Sequence, residues 1–220
     1  MLVAAAAIGG IWLAFSESGL GTLARLAVAA SGGRLTVEQP SGRLLGPLAF
    51  ARVIWSEPGT EVVIERLQID WSPAALLERR LSIAELAAAR LAIEIASSDE
   101  ASTPPASLRL PLAVDVKKLA ISRLDYGKLF SADDLQAAYV GDGADHRLTG
   151  VRGRLGKTVI AGEMALGADA PLPVQVSATL SGQLDEQPVR LAMNVAGPLE
   201  RPVLKVVAEE GLRGDGQVRR

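Results

Sequence analysis

At 220 residues, with 49% hydrophobic content and a mean hydropathy of +0.25, the chain has the apolar material for one or two folded domains and lies far from the disordered class. A net charge of −2 argues against a basic nucleic-acid-binding face, and the lack of cysteine excludes a disulfide framework and a thiolate metal site. Aromatic residues, at 4%, are sparse for a packed enzyme core; Ala, Leu, Val and Gly supply most of the apolar content.

Leu2 to Phe15 is a run of 14 residues without a charge. At about 1.5 Å per residue, a helix of that length falls short of a ~30 Å hydrocarbon core. Residues 1–15 are read as a membrane anchor cut short at its start, with Trp12 and Phe15 at the membrane interface. The competing reading is a cleaved signal peptide ending at Ala14-Phe15-Ser16. Residues 16–33 predict an amphipathic helix and turn: Ser18 caps it, Leu20, Leu23, Leu26 and Ala27 share a face, and Gly32-Gly33 end it. Such a helix either lies on the membrane surface or plugs the open end of a β-structure.

From Arg34 the dominant period is two. Residues 34–96 form a first β segment, in which Leu67, Ile69 and Trp71 alternate with Gln68 and Asp70, and Leu91, Ile93 and Ile95 follow suit. A short helix is expected over 73–79, with Ser72 as its cap and Pro73 in its first turn. Ala84 to Arg90 has helical propensity between strand-like neighbours. Residues 97–111 are rich in Ser and Pro and read as a long loop. Residues 112–220 form a second β segment. Within it Val174, Val176, Ala178 and Leu180 alternate with Gln175, Ser177, Thr179 and Ser181, and Val189, Leu191, Met193 and Val195 repeat the pattern around Arg190 and Asn194. Pro58-Gly59, Gly141-Asp142-Gly143 and Gly197-Pro198 are spaced as turns of an antiparallel meander. The fold class is therefore mainly β: an N-terminal membrane helix and a short amphipathic helix, then an elongated antiparallel sheet.

No catalytic, cofactor-binding or metal-ligating set emerges. His146, the single histidine, follows a turn signal and reads as an exposed turn residue. Asp133, Asp134, Asp142 and Asp145 lack the regular oxygen spacing of a calcium loop and read as solvated loop charges. Glu209 and Glu210 have no partner acid. The glycines from Gly150 to Gly156 do not follow a strand and open a helix, as a phosphate loop must. Trp12, Trp55 and Trp71 are too dispersed for an aromatic cage or a base-stacking platform. The chain does not read as an enzyme, and no cofactor is expected.

The string GGRLTVEQPSGRLLGPLAFARVIWSEPGTEVVIERLQIDWSPAALLERRLSI, with TPPASLRLPLAV and GPLERPVL, resembles the N-terminal part of the TamB family, from about Ser16 to the C-terminus. That family supplies the inner-membrane component of the translocation and assembly module of Gram-negative bacteria. It falls in the superfamily of AsmA-like and bridge-like lipid-transfer proteins. The resemblance implies an N-terminal fragment that stops inside a β-repeat at Val218-Arg219-Arg220. It also implies a single-pass inner-membrane protein with its body in the periplasm, curved into a half-pipe. Phospholipid transport to the outer membrane, assembly of outer-membrane proteins, and a TamA-like barrel partner reached through the absent C-terminal region come with it. On this resemblance Val174, Val176, Ala178, Leu180, Val189, Leu191, Met193 and Val195 line a lipid groove. The alternative is a secreted β-solenoid adhesin or structural envelope protein whose apolar face is sealed.

Overall fold

The computed structural model describes residues 17–95, 107–184 and 187–210. The protein is mainly β, a long curved sheet of 12 strands preceded by a helix. The helix α1 spans Glu17–Ala30. The strands are β1 (Leu35–Glu38), β2 (Ser41–Gly42), β3 (Leu48–Glu57), β4 (Thr60–Ser72), β5 (Arg80–Ile95), β6 (Ala113–Tyr126), β7 (Phe130–Gly141), β8 (Asp145–Leu155), β9 (Thr158–Gly167), β10 (Pro173–Leu184), β11 (Gln187–Pro198) and β12 (Val203–Glu210). From β3 onward spatial order follows chain order; β1 and β2 both pair with β3. The two β segments expected from the sequence thus join into one sheet.

One ladder corrects the all-antiparallel expectation: β5 and β6 run parallel, with Ile83 opposite Val116 and Ile93 opposite Tyr126. A parallel pair needs a crossover that returns the chain to the starting end, and the connection from β5 to β6 falls within 96–112. Of the expected loop over 97–111, residues 97–106 lie outside the described residues. From Ser107 onward the chain forms a strap toward β6, bridged to Asp169 at its start.

Across β3 to β7 the sheet is creased. In β5 the apolar positions are Leu81, Ile83, Leu86, Ala88, Leu91 and Ile93, and in β6 they are Val114, Val116, Leu119, Ile121, Leu124 and Tyr126; spacings of two and three alternate. Each step of three marks a place where the strand skips a residue to keep its apolar side on one face. At one such row the ladders are interrupted at Ala51, Arg66, Ala89, Ser122 and Asp134, residues abreast in five strands. Arg66 and Asp134 have φ of 51° and 53°, the left-handed conformation of a bulged residue. Irregularities of this kind bend strands, and lining them up across the sheet bends the whole sheet in one sense. The same mixture of twos and threes explains the helical look of Ala84 to Arg90, which is strand.

Three other expectations are corrected. Helix α1 lies on β1 and β2, but through Leu20, Ala24 and Val28; Leu23 and Leu26 are exposed. Strands of four and two residues are too small to cover a wider stripe. Gly32 and Gly33, at φ of 62° and 85°, end the helix as expected. The connection after β4 is a 3-10 helix over Pro73–Glu78, Ser72 makes no side-chain cap, and the turn is closed by Arg79 in the left-handed conformation. His146 is a half-buried strand residue rather than an exposed turn residue. Among the described residues no helix is long and apolar enough to cross a membrane. The expected anchor, with Trp12 and Phe15, lies outside the described residues.

Candidate functional site

Very little of the apolar face is sealed. Among the described residues nine apolar side chains are buried, three of them alanines, and no large side chain is fully buried. A closed two-layer domain of this size would hide its Leu, Ile and Val side chains against an opposite layer. Here there is one layer.

The alternation in β10 and β11 places Val174, Val176, Ala178, Leu180, Val189, Leu191, Met193 and Val195 on one face, with Val174 buried and the others half-buried. Register extends that face to both sides. Val176 stands between Met164 and Val195, Ala178 between Gly162 and Met193, and Leu180 between Ile160 and Leu191. Beyond β11, Val195, Met193 and Leu191 stand opposite Leu204, Val206 and Ala208. Before β9, Met164 and Gly162 stand opposite Leu148 and Val151. The result is rows of apolar side chains running across β8 to β12, perpendicular to the strands, without a charged member. The opposite face carries Glu163, Ser177, Asn194 and Lys205 in register; Ser177 Oγ donates to Asn194 Oδ1 at 3.1 Å.

The β8, β9 and β12 contributors were not legible as site residues. In β9 Ile160, Gly162, Met164 and Leu166 face the apolar side, while Val159, Ala161 and Ala165 face away. Both faces are apolar enough to blur the alternation. Gly150, at φ of 61°, shifts the phase within β8 between Leu148 and Val151. The signal that could have found them is register, which becomes available only once neighbours are paired.

On the polar face of the crease, charges replace apolar rows. Arg90 pairs with Asp125 at 2.7 Å and with Glu65 at 3.6 Å; Arg123 pairs with Asp125 at 3.0 Å and with Asp133 at 3.2 Å; and Arg154 pairs with Asp134. Hydrogen bonding from Arg90, then the nearby Arg123 and Arg90 charges, holds the Asp125 carboxyl below the usual range against a smaller desolvation penalty. Asp133 and Asp134 are thus members of a cross-strand ion-pair row, not solvated loop charges. Asp142 does remain in a turn, where its carboxylate accepts from the Asp145 and Ala144 amides, which keeps it ionised to lower pH.

His146 belongs to a different small network. The Leu108 carbonyl can only accept, so at 2.9 Å the ring's Nε2 carries the proton toward it. In the neutral ring Nδ1 then accepts from the Tyr139 hydroxyl at 2.7 Å. Burial pushes the Tyr139 phenol above its ordinary value and so keeps it a donor. Neither group borders a nucleophile or a second histidine. What the network holds is the strap over one end of the apolar face.

No curated protein and no solved structure matches the chain. The family described as TamB, N-terminal domain, matches residues 6–151, more than half of the sequence. The matched region runs from the first apolar residues through the creased strands and into β8, and the chain belongs to the TamB family.

Proposed function

We propose that the chain forms part of a half-pipe in the bacterial envelope, along which phospholipid acyl chains pass from the inner toward the outer membrane in support of outer-membrane biogenesis. Residues 1–15 anchor it in the inner membrane with the body in the periplasm. A TamA-like barrel partner meets regions of the family outside these residues. The chain is not an enzyme on this reading and needs no cofactor. The supporting observation is the uncharged, half-exposed apolar face that continues strand by strand from β8 to β12.

The energetic logic favours such a surface. At about 0.8 kcal/mol per buried CH₂, an acyl chain of some 15 methylenes loses on the order of 12 kcal/mol on leaving a bilayer for water. A conduit must return most of that contact at every position. One ion set into the lining removes contact and adds the cost of desolvating a charge. Val176→Asp or Met193→Arg is expected to impair lipid transport far more than Ser177→Asp or Asn194→Arg at equal protein level. A photo-crosslinking side chain placed at 176 and at 177 in the full-length protein tests the geometry: phospholipid adducts at 176 and few at 177 are expected. Equal labelling, or none at either position in a folded protein, would leave a sealed β-solenoid as the better account.

A further inference from the structure

The two rims of the apolar face differ along β6 to β9. At the rim formed by the start of β6 and β8 and the end of β7 and β9, residues 107–112 cross the strand ends. The Leu108 amide donates to the Ala168 carbonyl at 2.7 Å, and the Leu108 carbonyl accepts from His146. Leu110 lies over Gly141 so closely that a Cβ there would sit 2.8 Å from its Cδ1. Arg109 grips both carboxylate oxygens of Asp169 at 2.8 and 3.0 Å. Ala168 and Leu172 are buried beneath this corner. That rim is shut, and it carries Asp142 in the turn after β7, Asp145 at the start of β8 paired with Arg147, and Asp169 paired with Arg109.

The opposite rim is open, and among the described residues its cations are not paired with acids. Two hairpin turns form it, at Gly127–Leu129 between β6 and β7 and at Gly156–Lys157 between β8 and β9. Each turn carries one exposed lysine, Lys128 and Lys157, and among the described residues no ion pair involves either. Leu129 is 80% and Phe130 43% exposed beside Lys128, and Phe130 stacks on Tyr126 with ring centroids 5.4 Å apart. Between the lysine rim and the strap the inner positions include Leu124, Leu135, Val151, Leu155 and Ile160, with Thr158 the polar member nearest Lys157. From Leu155 to Leu148 this floor is roughly 20 Å long at about 3.3 Å per residue, deeper than the ~15 Å occupied by one leaflet's chains.

We infer that the β6–β7 and β8–β9 turns are the headgroup site of this trough. Acyl chains lie along the strands toward the strap, and the phosphate of a diacyl phospholipid is held at the open rim by Lys128 and Lys157. This inference rests on the lipid-conduit reading above and adds polarity to it. An ammonium recognises phosphate as a point charge, and two turns set two strand spacings apart, about 10 Å, offer one cation for each pair of strands. A diacyl lipid, with two chains side by side, suits that repeat. At the strapped rim Arg109 and Arg147 are already paired with Asp169 and Asp145, and Asp142 repels a phosphate.

The test uses the full-length protein loaded from phosphatidylglycerol vesicles that carry a photoreactive group either in the headgroup or at the acyl terminus. Headgroup adducts are expected at residues 127–130 and 156–158, and acyl-terminus adducts inside the trough. At about a factor of five per lysine, Lys128→Ala with Lys157→Ala should cut headgroup labelling about 25-fold. Acyl labelling at position 176 should persist, and so should the circular dichroism of the folded protein. A photoreactive diacylglycerol, which lacks phosphate, should label the trough without dependence on the lysines, and inorganic phosphate alone should not protect it. Headgroup adducts at Asp142 or Asp169, or equal adducts at both rims, would overturn the inference while leaving the conduit standing. Loss of acyl adducts throughout the inner face would sink both.

Discussion

Trp71 illustrates how an open sheet tolerates an imperfection at a single residue. Its indole Nε1 is buried without a hydrogen-bond partner. An unmade buried hydrogen bond costs about 1–3 kcal/mol, so Trp71→Phe should leave stability within about 1 kcal/mol of wild type, with lost ring area offset by removal of the orphaned donor. Tyr139→Phe behaves oppositely: it strips the donor from His146 Nδ1 and should cost about 1 kcal/mol. Urea midpoints at unchanged m-value measure both. Asp125 supplies a pH signature. Its folded pKa is depressed, first by the Arg90 hydrogen bond, so its stabilisation is present above the unfolded value near 3.8 and is lost as pH falls through the lower folded value. Asp125→Asn should therefore flatten the acid limb of a stability profile below about pH 4 and change little between pH 6 and 8. A limb of unchanged steepness would show that the row of ion pairs does not feel the titration.

At the scale of elements, the strap over 107–112 is tied down by few bonds, most of them ending on Asp169 and His146. Such a segment opens locally at a free energy below that of the sheet. Asp169→Ala is expected to raise hydrogen exchange at the Leu108 amide about tenfold or more, while amides in the centre of β10 exchange as before. Coupled exchange of both would instead make strap and sheet one cooperative unit. Helix α1 is limited in the same way by what it touches. Leu20, Ala24 and Val28 find β1 and β2, whereas Leu26 remains 63% exposed because no third strand reaches it.

For the molecule as a whole, a single apolar layer has a measurable consequence. The folded protein should bind a hydrophobic dye such as ANS at neutral pH without loss of near-ultraviolet circular dichroism, which separates it from a molten globule. Met193→Arg should weaken that binding; Asn194→Arg, on the polar side, should not. Dye binding only upon unfolding would mean that the face is sealed. The ion-pair row across β4 to β8 lies on the other side of the sheet and contributes modestly, as exposed pairs do.

The strands themselves were legible wherever a period of two survives. Val174 to Leu180 and Val189 to Val195 declare their inner face, because successive strand side chains must point to opposite sides. The turns at Pro58-Gly59 and Gly141-Asp142-Gly143 could be read equally directly, whereas Gly197 and Pro198, expected as a turn, are the last paired residues of β11, opposite Val174 and Pro173; the family resemblance rested on strings of residues. Register, direction and rim were decided only by the folded chain. The parallel pairing of β5 with β6, the crease at Ala51, Arg66, Ala89, Ser122 and Asp134, and the meeting of His146 with Leu108 join residues far apart in sequence. No local propensity encodes such meetings. Strand pairing is set by the competition among whole ladders for one apolar face, and that competition is settled only when every strand has its neighbour.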